Sequence, residues 1–203
     1  SGVVYCTSQI VINGQTSTDE INSSAFEIDL SQFQLKYGED VVVQIKFKDG
    51  CSPKVLNPEA LKPKPTFEIL SININSEGMI AWTTKNEDGS LPFIVEQFRW
   101  SKWIKVGEVQ GRGTPDDHAY KFLAPLHSGE NKFRIKQTGF SVNSTRYSPE
   151  VKVVSSMPKC EYIISKNKTS YIFSCETMYE VYDFYGTIVK KGWGKELDFS
   201  TLN

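Results

Sequence analysis

The chain reads as all-β, a row of small β-sandwiches of the immunoglobulin or fibronectin kind, and three observations carry that reading. No segment of the 203 residues sustains apolar side chains at the i, i+3, i+4, i+7 spacing of an amphipathic helix. β-branched and aromatic residues recur instead in short runs, suited to a pleated, half-buried surface. Gly, Pro, Asn and Asp cut those runs, and these are the residues that favour turns.

In chain order the expected strands begin with VVYCTSQIVI, SAFEIDL and DVVVQIKFK, with Asp49-Gly50 as a turn after the third. FEILSINI, MIAWTTK, PFIVEQFRW, KWIKVGEV, AYKFLA, NKFRIKQT and SPEVKVVS follow, and then EYIIS, SYIFS, YEVYD and TIVKK. Two seams divide the series. NPEALKPKP, residues 57–65, holds three prolines, which cannot donate to a central ladder and favour an extended linker. SSMPK, residues 155–159, is a shorter break of the same type. The expected units are therefore 1–64, 65–155 and 156–203, the outer two resembling small β-domains with thin cores. In the middle unit Trp82 is expected between two sheets, with Phe133 and Ile135 alternating inward on a late strand and Val151 and Val153 on the last.

Composition narrows function. A net charge of −1 supplies no field for nucleic acid or an anionic membrane, so no nucleic-acid partner is expected. No run of about eighteen apolar residues is present, so the chain is not expected to span a bilayer. The opening SGVVYC has neither a charged n-region nor an apolar h-region, which reads as a leader already removed or a Ser-Gly remnant of cloning.

The four cysteines, Cys6, Cys51, Cys160 and Cys175, have no C-x-x-C spacing, and two histidines poorly supply a metal site. In CEYIISKNKTSYIFSC two apolar runs flank a turn-like KNKT. If Ser165 faces Ser170, the register sets Cys160 opposite Cys175, within the Cα separation a disulfide needs. Cys6 and Cys51 are then left for each other. The alternative is four buried free thiols. Disulfides imply an oxidising compartment: periplasm, outer surface or medium.

The segment from Ile80 to Val153 resembles the fibronectin-type-III-like module of many secreted Bacteroidetes proteins. The resemblance rests on Trp82-Thr83-Thr84, Phe93 with Val95 and Glu96, and Trp103 with Val106, Gly107 and Val109. It continues through Gly111 and Gly113, Tyr120 and Phe122, Asn131 with Phe133 to Gln137, and Tyr147-Ser148 with Val151 and Val153. YEVYDFYGTIVKKG and LDFSTLN in turn resemble the central motif and following stretch of the type IX secretion C-terminal sorting domain. The usual Pro-Asn-Pro opening is reduced to MPKC, and no Lys-Gly-x-Tyr strand follows Leu202, so the third unit reads as a truncated or vestigial version. The resemblance implies an exported protein of the periplasm, outer membrane or cell surface that meets the type IX outer-membrane translocon as partner. What it further implies is a role as an accessory or plugging subunit, or as adhesin-like cargo. Tyr182 and Tyr185 in the sorting-like hairpin belong to the docking element it implies.

Candidate contact residues come from aromatic content. Phe98, Trp100 and Trp103 surround one hairpin apex with Arg99 among them, a composition shared by interface hot spots and sugar-stacking platforms. A carbohydrate-binding secreted protein is accordingly the alternative function, with Trp103 as a core residue the plainer reading. Asp116, Asp117 and His118 after Pro115 have the letters of an acid/base or metal cluster, and equally those of a turn. GRG at 111–113 lacks the strand–turn–helix setting of a phosphate loop. No catalytic residue, cofactor or metal is expected. Sequons at Asn22, Asn143 and Asn167 mark exposed loops.

Overall fold

The structure is a computed structural model that describes residues 5–36, 39–139 and 144–202. It is all-β, as expected, with antiparallel sheets and only two short 3-10 turns, Leu30–Gln32 and Pro58–Leu61, among the described residues. Asn143 lies outside the described residues; Asn22 and Asn167 are exposed and outside strands.

The first sheet has the order β2-β1-β3, from β1 (Thr7–Ile12), β2 (Gln15–Thr16) and β3 (Val43–Phe47). Ile10 and Ile12 alternate inward on β1 and are its buried apolar residues. The Cys6–Cys51 disulfide ties the beginning of β1 to the chain after β3, with Cα atoms 5.6 Å apart. The Asp49-Gly50 turn forms as expected, with the Cys51 amide donating to the Lys48 carbonyl at 3.1 Å. SAFEIDL is not a strand. Its end turns into the 3-10 segment, where the Asp29 carboxylate accepts from the Ser31 amide at 2.9 Å. An N-cap bond of that kind gives the backbone a local alternative to a ladder.

The middle sandwich faces β4-β5-β8 against a five-stranded sheet. β4 (Glu68–Ile74), β5 (Met79–Lys85) and β8 (His118–Leu123) form one layer. In the other, β9 (Gly129–Thr138) pairs with β6 (Pro92–Arg99), which pairs with β7 (Lys102–Gln110). The short β10 (Thr145–Tyr147) and β11 (Val151–Ser155) both add to the far side of β9. Phe67, Ile80, Trp82, Phe93, Val95, Tyr120, Phe133 and Ile135 fill the space between the layers. Trp82 is 1% exposed, stacked on Tyr120 at 5.4 Å and edge-on to Phe93 at 6.0 Å. Offset and edge-on aromatic pairs add to the burial of their area.

The third sheet runs β12-β13-β14, with β12 (Tyr162–Ile164), β13 (Ser170–Tyr182) and β14 (Ile188–Asp198). The separate expectations SYIFS and YEVYD are one continuous strand. The expected register holds: the Ser165 amide donates to the Ser170 carbonyl at 2.8 Å, and Ile163 faces Ile172. Cys160 and Cys175 are disulfide-bonded with Cα atoms 5.4 Å apart, and the described residues include no free cysteine.

Candidate functional site

The β6–β7 hairpin distributes its candidate residues over two faces. Period-two alternation from Phe93 and Val95 carries Gln97 and Arg99 to the inner side, while Ile94, Glu96 and Phe98 face outward. Phe98 faces Trp103 directly across the hairpin, ring centroids 5.3 Å apart. The Arg134 guanidinium lies 4.2 Å from the Trp103 ring and 4.2 Å from the Tyr147 ring, so it is held between the two. The same side chain donates to the Glu96 carboxylate at 2.7 Å, with the Lys136 ammonium 3.5 Å from that carboxylate. Trp103 is therefore neither core nor a free platform, because Arg134 already occupies one of its faces. Trp100 sits on the turn itself, at φ 51° and about half exposed, with Arg99 and Lys102 beside its ring.

Lys102 joins this hairpin to the third sheet. Its ammonium donates to the Glu180 carboxylate at 2.5 Å and to the Tyr182 hydroxyl at 2.7 Å. The hydrogen bond from Lys102 holds the Glu180 carboxyl below the usual carboxylate range, and the bond to Glu180 pushes the Lys102 ammonium up. Beyond Tyr182 the chain reverses through Asp183–Thr187, where the Asp183 carboxylate accepts from the Tyr185 amide at 2.9 Å and the Thr187 amide at 2.8 Å. Gly186 closes the turn at φ 80°, a left-handed conformation that costs glycine little. The turn pushes Phe184 and Tyr185 into solvent, 97% and 88% exposed, their rings edge-on to each other at 5.7 Å. Phe184 was not singled out from the sequence, although a phenylalanine between two turn residues was the available signal.

Arg99 goes elsewhere. It is 8% exposed and lines a cleft of about 180 Å³ between the end of the middle sandwich and the third sheet. Burial pushes its guanidinium pKa down, and its Nε has no hydrogen-bond partner. This cleft was not legible from the sequence, since its walls come from five separate stretches of chain.

The other polar candidates belong to a loop scaffold. The His118 ring and the Thr114 hydroxyl are hydrogen-bonded at 2.6 Å, and Thr114 donates to Asp116 at 3.3 Å. Next to them the buried Glu87 carboxylate accepts from the Tyr120 hydroxyl at 2.8 Å, from the Gly113 amide at 2.8 Å and from Thr84. Gly113 has φ 73°, and a Cβ there would lie 2.2 Å from the Gly89 backbone, so GRG serves this close approach. No group of three or more His, Cys, Asp or Glu able to hold a metal ion occurs among the described residues.

The fold and the surface define a disulfide-bonded all-β protein, and two disulfides belong to an oxidising, extracytoplasmic setting. No helix among the described residues is long and apolar enough to cross a membrane. No protein-family profile and no curated protein sequence matches the chain. Among solved structures it is similar to dimeric latent PorU from Porphyromonas gingivalis, with a TM-score of 0.30 and 13% identity. That similarity covers 79% of this chain and 18% of the other, so the chain spans under a fifth of that protein's length.

Proposed function

We infer that the chain is a non-enzymatic contact protein of the bacterial cell envelope, associated with type IX secretion, that docks through its third unit. The observation carrying this reading is the β13–β14 tip, where Phe184 and Tyr185 stand almost wholly in water. Large aromatics displayed together on a pinned turn lose much apolar hydration when a partner covers them. The tip is also the segment whose VYDFYG letters resemble the type IX sorting domain, so the resemblance and the exposure fall on the same residues. The two-layer order of residues 68–155 suits the fibronectin-type-III-like module that the middle segment resembles. His118 and Asp116, the residues with the letters of a reactive cluster, are engaged in their own turn. The protein then works as an accessory subunit at the outer-membrane translocon or as cargo delivered to the surface.

The test compares the full chain with a Phe184→Ala/Tyr185→Ala double variant, each immobilised and exposed to solubilised envelope membranes of a type IX-secreting bacterium. Translocon components should be enriched on the parent and lost on the variant, whose near-UV circular dichroism should keep the parent's tertiary signature. Equal enrichment on both moves docking away from the tip, and none on either removes the translocon as partner.

A further inference from the structure

Among the described residues Arg99 is the charged side chain that is buried with a polar atom, its Nε, lacking a hydrogen-bond partner, and it lines the cleft between the middle sandwich and the third sheet. Leu126, His127 and Ser128 come to the cleft from the loop before β9. That loop is fixed from inside: the Asn131 carboxamide accepts from the His127 amide at 2.9 Å and donates to the His127 carbonyl at 2.8 Å. Gln97 donates to the same Asn131 at 2.9 Å, tying the loop to β6 two residues from Arg99. The opposite wall is fixed by the Cys160–Cys175 disulfide, with Thr177 and Trp193 beside it. A rigid cleft with a buried arginine is thus assembled from the middle sandwich, the linker and the third sheet.

No carboxylate pairs with Arg99 among the described residues. Removing a guanidinium from water without an acceptor is costly, and a bidentate carboxylate is the partner that matches its planar fork. Lys159 and Glu176, both exposed, stand at the rim of the same cleft. Two cations and one carboxylate leave a single positive charge uncompensated, which matches a monoanion better than a phosphate dianion facing Glu176. Leu126, Met157, Pro158 and Trp193 supply apolar wall for the carbon skeleton of the ligand. A volume of about 180 Å³ is close to that of a cavity taking one benzene-sized group, and below the roughly 300–1,000 Å³ of drug-sized pockets. A single residue fits; an oligosaccharide does not.

We propose that this cleft is a carboxylate-binding site in which Arg99 receives one acidic residue of a partner peptide. The site is separate from the aromatic tip and does not depend on docking there.

The experiment follows the Arg99 Nε–H resonance of the isotope-labelled full chain by NMR. It is titrated with the blocked peptide Ac-Gly-Gly-Glu-Gly-Gly-NH2, with its Gln counterpart, and with butyrate, a free monoanion. The Glu peptide should shift that resonance to saturation and the Gln peptide should not. Arg99→Lys keeps the charge but loses the fork and that resonance, so its binding is followed on the backbone amides of Ser128 and Thr177 in the cleft wall and should be at least tenfold weaker. Should Arg99→Lys fail to fold, Glu176→Gln serves instead, because removing the rim carboxylate should tighten binding of the Glu peptide several-fold. Saturation by butyrate alone keeps the carboxylate site and assigns it to a free acid in place of a peptide. No saturation by either acid, or equal binding of the Gln peptide, overturns the proposal.

Discussion

Tyr120 shows how one buried hydroxyl organises a loop. Its ring packs in the core against Trp82, and its hydroxyl donates to Glu87 and accepts from the Arg112 amide at 3.0 Å. Burial pushes its pKa up to about 12, the Arg112 amide opposes that rise, and the Glu87 carboxylate adds to it. A folded pKa above the ordinary tyrosine value of about 10 favours the neutral phenol. Its contribution to stability is therefore complete below pH about 10 and is lost as pH rises through about 12. Alkaline absorbance titration of the nine tyrosines should show a late component near that value, absent from Tyr120→Phe. All nine titrating together near 10 would contradict this. The same variant leaves Glu87 short of a donor in a buried site, so urea unfolding should register a loss of about 1–3 kcal/mol.

At the scale of elements, the contact between the β6–β7 hairpin and β13 is a small charged junction, Lys102 with Glu180 and Tyr182. Because the Glu180 carboxyl is held low in the folded chain, its contribution is present above the free glutamate value of about 4.3 and lost as pH falls through the folded pKa. An NMR titration of the Glu180 side chain should give a midpoint below about 4.3, and Lys102→Met should move it upward, with the Tyr182 hydroxyl and Lys191 still lowering it. A midpoint unchanged by Lys102→Met would mean the two hairpins are not joined through this pair. Most strands were legible because their alternation is strong, as in Ile80, Trp82 and Thr84, all buried on one face of β5. SAFEIDL carries the same alternation in Phe26, Ile28 and Leu30 yet has no ladder partner among the described residues, and its Asp29 amide donates instead to the Asp19 carboxylate at 3.2 Å. β10 was missed because Thr145-Arg146-Tyr147 offers no apolar pattern, only pairing to β9. Arg99 was legible in part. The alternation from Phe93 and Val95 already places it on the inner face of β6, whereas its burial depends on a linker and a third sheet that no local pattern specifies.

Across the whole molecule the three sheets are unequally supported. Nine buried core residues hold the middle sandwich together. The first sheet buries Ile10 and Ile12, and the third buries Leu197 as its apolar residue. Sheets with so little apolar interior need another constraint, and each has one disulfide. In the chain-entropy description, closing the 45-residue Cys6–Cys51 separation contributes about 4 kcal/mol and the 15-residue Cys160–Cys175 separation about 3 kcal/mol. Those values are comparable with what a core of one or two side chains supplies, so the outer sheets should depend on oxidation and the middle one should not. Hydrogen exchange of the full chain before and after reduction should separate them. Amides of β1, β3, β12 and β14 should lose protection on reduction, while those of β5, β6 and β9 keep it. Cys160→Ser/Cys175→Ser should release the third sheet alone and, with it, one wall of the Arg99 cleft. If reduction instead lowered protection uniformly, the sheets would unfold as one cooperative body, and for the third sheet the contacts through Lys102 and the cleft would be holding it more firmly than its own disulfide does.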